Sequence, residues 1–86
     1  MTTTTNAAEH IRSTIQNLAA SLVDCPQDLM VNVMVGEQAT VYEIKCNPRD
    51  RGKIIGKGGK MAGVLRHLVV CMAARSKIRA TLEIVD

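Results

Sequence analysis

Three glycines and three lysines lie within eight consecutive residues of this chain, the run Lys53-Ile54-Ile55-Gly56-Lys57-Gly58-Gly59-Lys60. Glycine has no Cβ atom and adopts positive φ easily, so a turn rich in glycine can point its backbone N–H groups outward. Outward N–H groups beside a helix N-terminus bind anions, phosphate in particular. The three lysines place positive charge around the same turn. The run therefore predicts a phosphate-binding loop.

Two familiar phosphate-binding motifs do not fit these residues. A Walker A loop requires Ser or Thr after its lysine, whereas Lys60 is followed by Met61, and the glycine spacing also differs. The dinucleotide-binding fingerprint requires a third glycine where Met61 stands. A plain turn between two helices is the remaining alternative to a binding loop.

The residues that could support catalysis or metal binding are scattered. His10 and His67 lack a cysteine or carboxylate at ligand spacing, which argues against a metal site. The serines have no nucleophile-elbow context, and no pair of carboxylates accompanies a base in a local motif. We therefore expect neither an enzyme nor a cofactor.

The charge of the chain is distributed unevenly. The 86 residues carry a net charge of +3. Residues 1–44 contain one basic and five acidic residues, whereas residues 45–86 contain ten basic and three acidic residues. The basic half includes the glycine-rich run, and this asymmetry favours a polyanionic partner. Solvated basic faces without a ligand are also common, so charge alone does not decide the function.

Length and composition predict one small cytoplasmic domain. Residues 1–6 read as a flexible N-terminal tail, without the features of a signal peptide, and no apolar run is long enough to span a membrane. Cys25, Cys46 and Cys71 lie in or beside apolar stretches, so we interpret them as small core residues in a reducing compartment. Tyr42 is the only aromatic residue, which disfavours RNA binding through stacking platforms.

The first half of the domain reads as a helix followed by a β-hairpin. Asn6 and Glu9 have capping-box spacing, which predicts a helix from about Ala7 to Asp24. Its apolar stripe comprises Ile11, Ile15, Leu18 and Leu22. Residues 29–35 and 40–46 alternate in polarity around the turn Gly36-Glu37-Gln38, which predicts two antiparallel strands.

The second half reads as two helices and a strand. Asn47 as N-cap and Pro48 at the first helical position predict a short helix that ends near Gly56. A second helix should run from Gly59 or Lys60 to about Arg75. Its predicted core stripe comprises Met61, Val64, Leu65, Leu68, Val69 and Met72. Residues 78–85 alternate in polarity and predict a third strand.

This order, α-β-β-α-α-β, predicts an α+β fold in which three helices pack against a three-stranded mixed sheet. The hairpin makes the first two strands antiparallel, and a helical crossover makes the second and third strands parallel. Val70, Cys71 and Ala74 make the opposite side of the last helix apolar as well. Either the rest of the domain or a partner chain must cover that side.

The glycine-rich run also resembles a known family. Ile54-Ile55-Gly56-Lys57-Gly58-Gly59 is similar to the GXXG loop of KH domains, and the element order is that of the type II arrangement. Gly52 to Lys60, Leu65-Arg66 and the ending Leu82-Glu83-Ile84-Val85-Asp86 resemble the small bacterial single-KH proteins of the KhpA type, the YlqC family. The resemblance covers about residues 9–86 and implies a KH domain over residues 7–86.

This resemblance implies a single-stranded RNA ligand and assigns roles to the loop residues. Gly56 and Gly59 would be the loop's obligatory glycines, and Lys57 and Gly58 would approach the sugar-phosphate backbone. KH grooves bind about four nucleotides. Either Ile54 or Ile55 would contribute to the aliphatic floor for the bases while the other packs inward. Lys53 and Lys60 would flank the phosphates.

The same resemblance implies partners. Relatives of this type are thought to self-associate as homodimers and to bind a second KH protein of the KhpB (Jag, EloR) type. They are thought to act as RNA chaperones in the control of cell shape and cell-wall homeostasis. The alternative function is a protein-interaction or dimerisation module that has a KH fold and binds little RNA itself.

Overall fold

The computed structural model describes residues 3–85, with side chains from residue 7 onward, and confirms the predicted element order. Met1, Thr2 and Asp86 lie outside the described residues, so the flexibility predicted for the tail of residues 1–6 remains a prediction. The helices and strands are α1 (Thr3–Ala20), β1 (Met30–Val35), β2 (Thr40–Lys45), α2 (Arg51–Ile55), α3 (Lys60–Arg75) and β3 (Ala80–Ile84).

The sheet has the order β1-β2-β3, with both strand directions as predicted. β1 and β2 pair antiparallel, and Met30 lies opposite Lys45. β2 and β3 pair parallel, from Thr40 opposite Ala80 to Ile44 opposite Ile84. The parallel pairing follows because the chain leaves β2, passes through α2 and α3, and re-enters the sheet from the same end.

The core lies between the helices and one face of the sheet. Tyr42 and Ile44 of β2 are fully buried, as their alternation with exposed or half-buried neighbours predicts. The Tyr42 hydroxyl donates a 2.9 Å hydrogen bond to the carbonyl oxygen of Ala8 in α1. Burial raises the pKa of this hydroxyl. The single aromatic residue is therefore a structural link between α1 and the sheet.

The bounds predicted for α1 are wrong at both ends. The helix already includes Thr3, so Asn6 lies inside it, and the Glu9 carboxylate pairs with the Arg12 guanidinium at 2.7 Å instead of closing a capping box. The helix ends at Ala20 instead of Asp24. The amide groups of Asp24 and Cys25 bind the Asp50 carboxylate, so these residues cannot continue the helix.

The apolar stripes of α1 and α3 were predicted only in part. In α1 the buried residues are Ala8, Ile11, Ile15 and Ala19, and Leu18 is 40% exposed. In α3 they are Ala62, Leu65, Val69 and Ala73, whereas Val64 and Leu68 are 53% and 37% exposed. Small alanines face the core where α1 and α3 lie close to the sheet and to each other. Of the residues predicted for the two stripes, Leu18, Val64 and Leu68 instead face solvent.

The cysteines are less buried than predicted. Cys25 and Cys46 are half-buried, and Cys71 is exposed. Cys71 lies on the outer face of α3, where its Sγ contacts His67 Nε2 at 3.5 Å. All three are free thiols.

The turn after α3 directs the chain into β3. The Ile78 amide donates to the Ala73 carbonyl and the Lys77 amide to the Ala74 carbonyl, both at 3.0 Å. These two bonds form a Schellman motif, which requires a left-handed residue after the helix. Lys77 occupies that position with φ of 61°. A lysine thus adopts a conformation that glycine adopts more easily.

Candidate nucleic-acid interface

The glycine-rich run forms a tight loop between α2 and α3. The Gly56 amide donates to the Gly52 carbonyl at 2.8 Å and terminates α2. Residues Lys57–Gly59 form one 3₁₀ turn, closed by a 3.1 Å bond from the Gly59 amide to the Gly56 carbonyl, and α3 begins at Lys60. All three glycines of the loop have positive φ. The loop therefore leads directly into the N-terminus of a 16-residue helix.

Gly56 is the most constrained residue of the loop. Its φ of 79° and ψ of 169° are accessible almost only to glycine. A Cβ atom at this position would lie 2.6 Å from Met61 Cβ and 2.7 Å from the Met61 backbone nitrogen. The loop backbone can pack this closely onto the first turn of α3 only because residue 56 has no side chain.

The outer side of the loop is open and positively charged. Lys57, Gly58 and Lys60 are exposed, and a Cβ at Gly58 or Gly59 would meet no atom within 4 Å. The Lys60 amide donates to the Lys57 carbonyl of the preceding turn, and the start of α3 carries the positive end of the helix dipole. This surface can accept an anion such as phosphate from solvent.

Lys53 differs from the other two lysines of the run. Its Nζ lies 3.1 Å from Asp24 Oδ2 and 3.5 Å from Asp50 Oδ1. The hydrogen bond with Asp24, followed by the charge of that carboxylate, raises the pKa of Lys53. Asp50 lies three residues before Lys53, but Asp24 is brought to it only by the fold. Lys53 therefore holds the start of α2 against the α1–β1 connection.

The two isoleucines of the run have different environments. Ile54 is fully buried in the hydrophobic core, whereas Ile55 is half-buried. Of the two arrangements that the sequence left open, Ile54 is the residue that packs inward. Ile55 is the one with surface available next to the loop.

A comparison with known protein families identifies the family to which this fold belongs. The family model described as KhpA/KhpB, KH domain matches residues 12–84. The chain belongs to this KH-domain family. Its fold is the type II KH arrangement, and Gly56-Lys57-Gly58-Gly59 lies between α2 and α3.

Curated members of the family have similar lengths. The "RNA-binding protein KhpA" of Clostridium acetobutylicum is 36% identical over 75 residues, which cover 87% of this chain and all of the relative. Proteins with the same name from Caldanaerobacter subterraneus subsp. tengcongensis and Borreliella burgdorferi are each 39% identical, over 83% and 84% of this chain and 95% and 88% of the relatives. Among solved structures, none matches the chain significantly.

Asp50 has a structural role in this KH domain that the sequence did not reveal. The sequence indicates an acidic residue near a helix N-terminus, but the side chain is 1% exposed and accepts hydrogen bonds from the Asp24 and Cys25 amides at 3.1 and 3.0 Å. Burial alone would raise the pKa of Asp50. The two amides and Lys53 outweigh burial and lower it. An ionised carboxylate therefore anchors the element that precedes the loop of residues 56–59.

The predicted start of the short helix is confirmed in its details. The Asn47 side chain accepts a 2.9 Å hydrogen bond from the Arg49 amide, and Pro48 occupies the first helical position. The first turn, Pro48–Asp50, is 3₁₀ and continues into α2. Within residues 3–85, no three potential ligand side chains gather as a metal site, and no helix is both long and apolar enough to cross a bilayer.

Proposed function

We propose that this KH domain binds single-stranded RNA, without catalysis, and that the loop of residues 56–59 holds the RNA backbone. The observation that carries the proposal is the exposed, basic glycine loop at the N-terminus of α3. Gly58 and Gly59, both at positive φ, leave open space where a Cβ would lie, and Lys57 and Lys60 are exposed beside them. The names of the curated relatives support the same ligand.

In this proposal different residues of the loop and its surroundings contact different parts of the RNA. Lys57 and Gly58 contact phosphate, and Lys60 and the positive end of the α3 dipole add longer-range attraction. Ile55 contributes apolar surface for a base, because Ile54 is committed to the core. Lys53 acts indirectly, through its ion pairs with Asp24 and Asp50, which stabilise the position of α2.

The double variant Lys57→Asp, Gly58→Asp tests this role. Both residues are exposed, and aspartate tolerates the left-handed conformation of Gly58 better than most residues, so the variant should fold. Its inverted charge should abolish binding of labelled mixed-sequence RNA in fluorescence anisotropy. The matched control Arg75→Asp, Gln38→Asp changes the net charge equally, away from the loop, and should retain binding.

Salt dependence provides a second measurement on the wild type. About four phosphate contacts with single-stranded RNA should reduce affinity roughly 50-fold between 50 and 200 mM salt. A binding surface that is mainly apolar would respond little. If the folded variant Lys57→Asp, Gly58→Asp binds RNA as tightly as the wild type does, the loop does not hold the RNA.

A second function, protein association, is favoured by the outer face of α3. Val64 and Leu68 are large apolar residues that remain 53% and 37% exposed. This exposed face supports self-association, or pairing with a KhpB-type KH protein, alongside RNA binding. Sedimentation equilibrium of the wild type and of Val64→Glu with Leu68→Glu tests self-association. A wild type that stays monomeric at high concentration, alone and mixed with a KhpB-type protein, would contradict it.

The cellular role is proposed from family membership. We infer that the protein acts in the cytoplasm as an RNA chaperone in post-transcriptional control of cell shape and cell-wall homeostasis. Deletion of the gene, followed by microscopy and complementation with the loop double variant, tests this role. Normal morphology after deletion would contradict this role. Rescue by the loop double variant would show that the phenotype does not depend on RNA binding by the loop.

A further inference from the structure

The sheet has two faces, and the helices cover only one of them. Side chains alternate between the faces along each strand, and Val31, Tyr42, Ile44 and Leu82 all lie in the core. The even-numbered residues of β1 and the odd-numbered residues of β2 and β3 point the other way, and none of them is buried. These residues form the outer sheet face.

Exposed methionines lie on the outer sheet face along β1. Met30 and Met34 are 55% and 48% exposed. They are four residues apart on one strand, which places them about 13 Å from each other. Val41 lies opposite Met34 in the neighbouring strand and extends the apolar surface. Methionine side chains adapt to partners of different shape and are common on protein-binding surfaces.

Two glutamates lie side by side in the middle of the outer sheet face. Glu43 is paired in register with Glu83 of the parallel strand, and Asn32 lies opposite Glu43 on its other side. Like charges directly across a strand pair destabilise a sheet. Within residues 3–85, neither carboxylate takes part in a hydrogen bond or an ion pair. The pair therefore costs stability and leaves two carboxylates available to a cationic partner.

The charge of this face limits what can cover it. Lys45 is its only cation, so the two glutamates give the face a net negative charge on a chain whose net charge is +3. The face would repel RNA phosphates. A second copy that used the same face would bring Glu43, on the central strand, close to its own symmetry mate, which like charge also disfavours. The face therefore fits a cationic protein segment.

The dimensions of the outer sheet face fit one helix. Adjacent strands are about 4.8 Å apart, so the three strands span about 10 Å, close to the diameter of a helix. Helical residues seven positions apart are about 10.5 Å apart along the axis, which approaches the separation of Met30 and Met34. Asn32 lies midway between these methionines, in the same row as Glu43 and Glu83. A helical residue midway between two apolar contacts would therefore lie above the glutamates.

We infer that the outer sheet face binds a helix of a partner protein in which an arginine or lysine lies midway between two apolar residues about seven positions apart. The cation contacts Glu43 and Glu83, and the apolar residues pack on Met30 and Met34. This surface is separate from the glycine loop and from the outer face of α3, since α3 packs on the opposite side of the sheet. The inference does not depend on RNA binding.

Two labelled helical peptides of about 15 residues test this inference in fluorescence anisotropy at low salt. Both carry two leucines about seven residues apart; one peptide has two arginines midway between them, and the other has two glutamates. Wild-type protein should bind the arginine peptide, and should bind the glutamate peptide at least about fivefold more weakly. Equal affinities for the two peptides, or binding of neither, would overturn the inference.

Glu83→Lys separates binding from stability. It should weaken binding of the arginine peptide about fivefold, because an attraction becomes a repulsion. It should also raise the midpoint of urea denaturation, because the like-charge pair with Glu43 becomes a pair of opposite charges. A purely structural role for Glu83 would instead lower that midpoint.

Glu37→Lys is the matched control for this variant. It makes the same change of charge in the exposed hairpin turn, off the outer sheet face, and should leave the peptide affinity unchanged. Amide NMR shifts caused by the arginine peptide should map to the three strands. Unchanged binding by Glu83→Lys, equal losses in both variants, or shifts confined to α3 would each show that the outer sheet face is not the binding site.

Discussion

Gly56→Ala should destabilise the domain strongly, because two separate costs coincide at this residue. The φ of 79° and ψ of 169° lie in a region where a residue with a side chain is strained by about 1–3 kcal/mol. The new Cβ would also lie 2.6 Å from Met61 Cβ and 2.7 Å from the Met61 nitrogen. Neither atom is the end of a flexible side chain. The start of α3 would therefore have to shift, as in an overpacked core, at about 1–3 kcal/mol.

Two other glycines provide matched controls for this change. Gly58 is left-handed with φ of 64°, but its Cβ would meet nothing within 4 Å, so Gly58→Ala should cost only about 1 kcal/mol. Gly52 lies in α2, is exposed, and also has open space around it. Gly52→Ala should stabilise the domain by about 0.5–1 kcal/mol. The expected loss for Gly56→Ala is about 3 kcal/mol.

Urea denaturation followed by far-UV circular dichroism measures all three variants against the wild type. The order of stability should be Gly52→Ala, wild type, Gly58→Ala and Gly56→Ala, from highest to lowest, with similar denaturant slopes. A Gly56→Ala variant no less stable than Gly58→Ala would refute the reasoning. It would mean that the loop can move away from Met61 at little cost.

Three further predictions concern positions outside the loop. Tyr42→Phe removes the hydrogen bond to the Ala8 carbonyl and should cost about 0.5–1.5 kcal/mol in urea denaturation; an unchanged midpoint would contradict a structural role for the hydroxyl. Lys77→Gly relieves the left-handed lysine and should stabilise by about 1 kcal/mol, whereas Lys77→Ala should not; equal effects would point to charge instead. Because the pKa of Asp50 is lowered in the folded state, its contribution is present above the unfolded aspartate pKa of about 4 and is lost as pH falls through the folded value. Asp50→Asn should therefore be less stable than wild type at neutral pH and lose less stability on acidification, and parallel pH profiles would contradict this.

Local patterns along the chain predicted most of the fold. The alternation of Tyr42 and Ile44 with polar neighbours indicated both the second strand and its buried face. Asn47, Pro48 and the glycine run predicted the start and the end of the short helical element. These signals are reliable because each depends on φ, ψ and hydrogen bonds among residues that are close in sequence.

The errors share a different physical origin. The end of α1 was placed too late because the Asp24 and Cys25 amides bind Asp50, which follows them by about 25 residues. Leu18 and Val64 were assigned to the core, but they are exposed, and Ala19 and Ala62 are buried instead. Helical periodicity defines a face only approximately, and packing then selects the residues that become buried.

For the candidate site, the chain by itself determined the glycine loop, its charge and its place between two helices, since glycine's backbone freedom and the helix boundaries are local properties. Only the tertiary structure decided that Lys53 is paired with Asp24, that Ile54 faces the core, and that Arg66 contacts β3. Each of these depends on a partner brought near by the crossover and the sheet. Spacing along the chain carries no information on such distant contacts, because many arrangements of the same helices and strands are compatible with one local pattern.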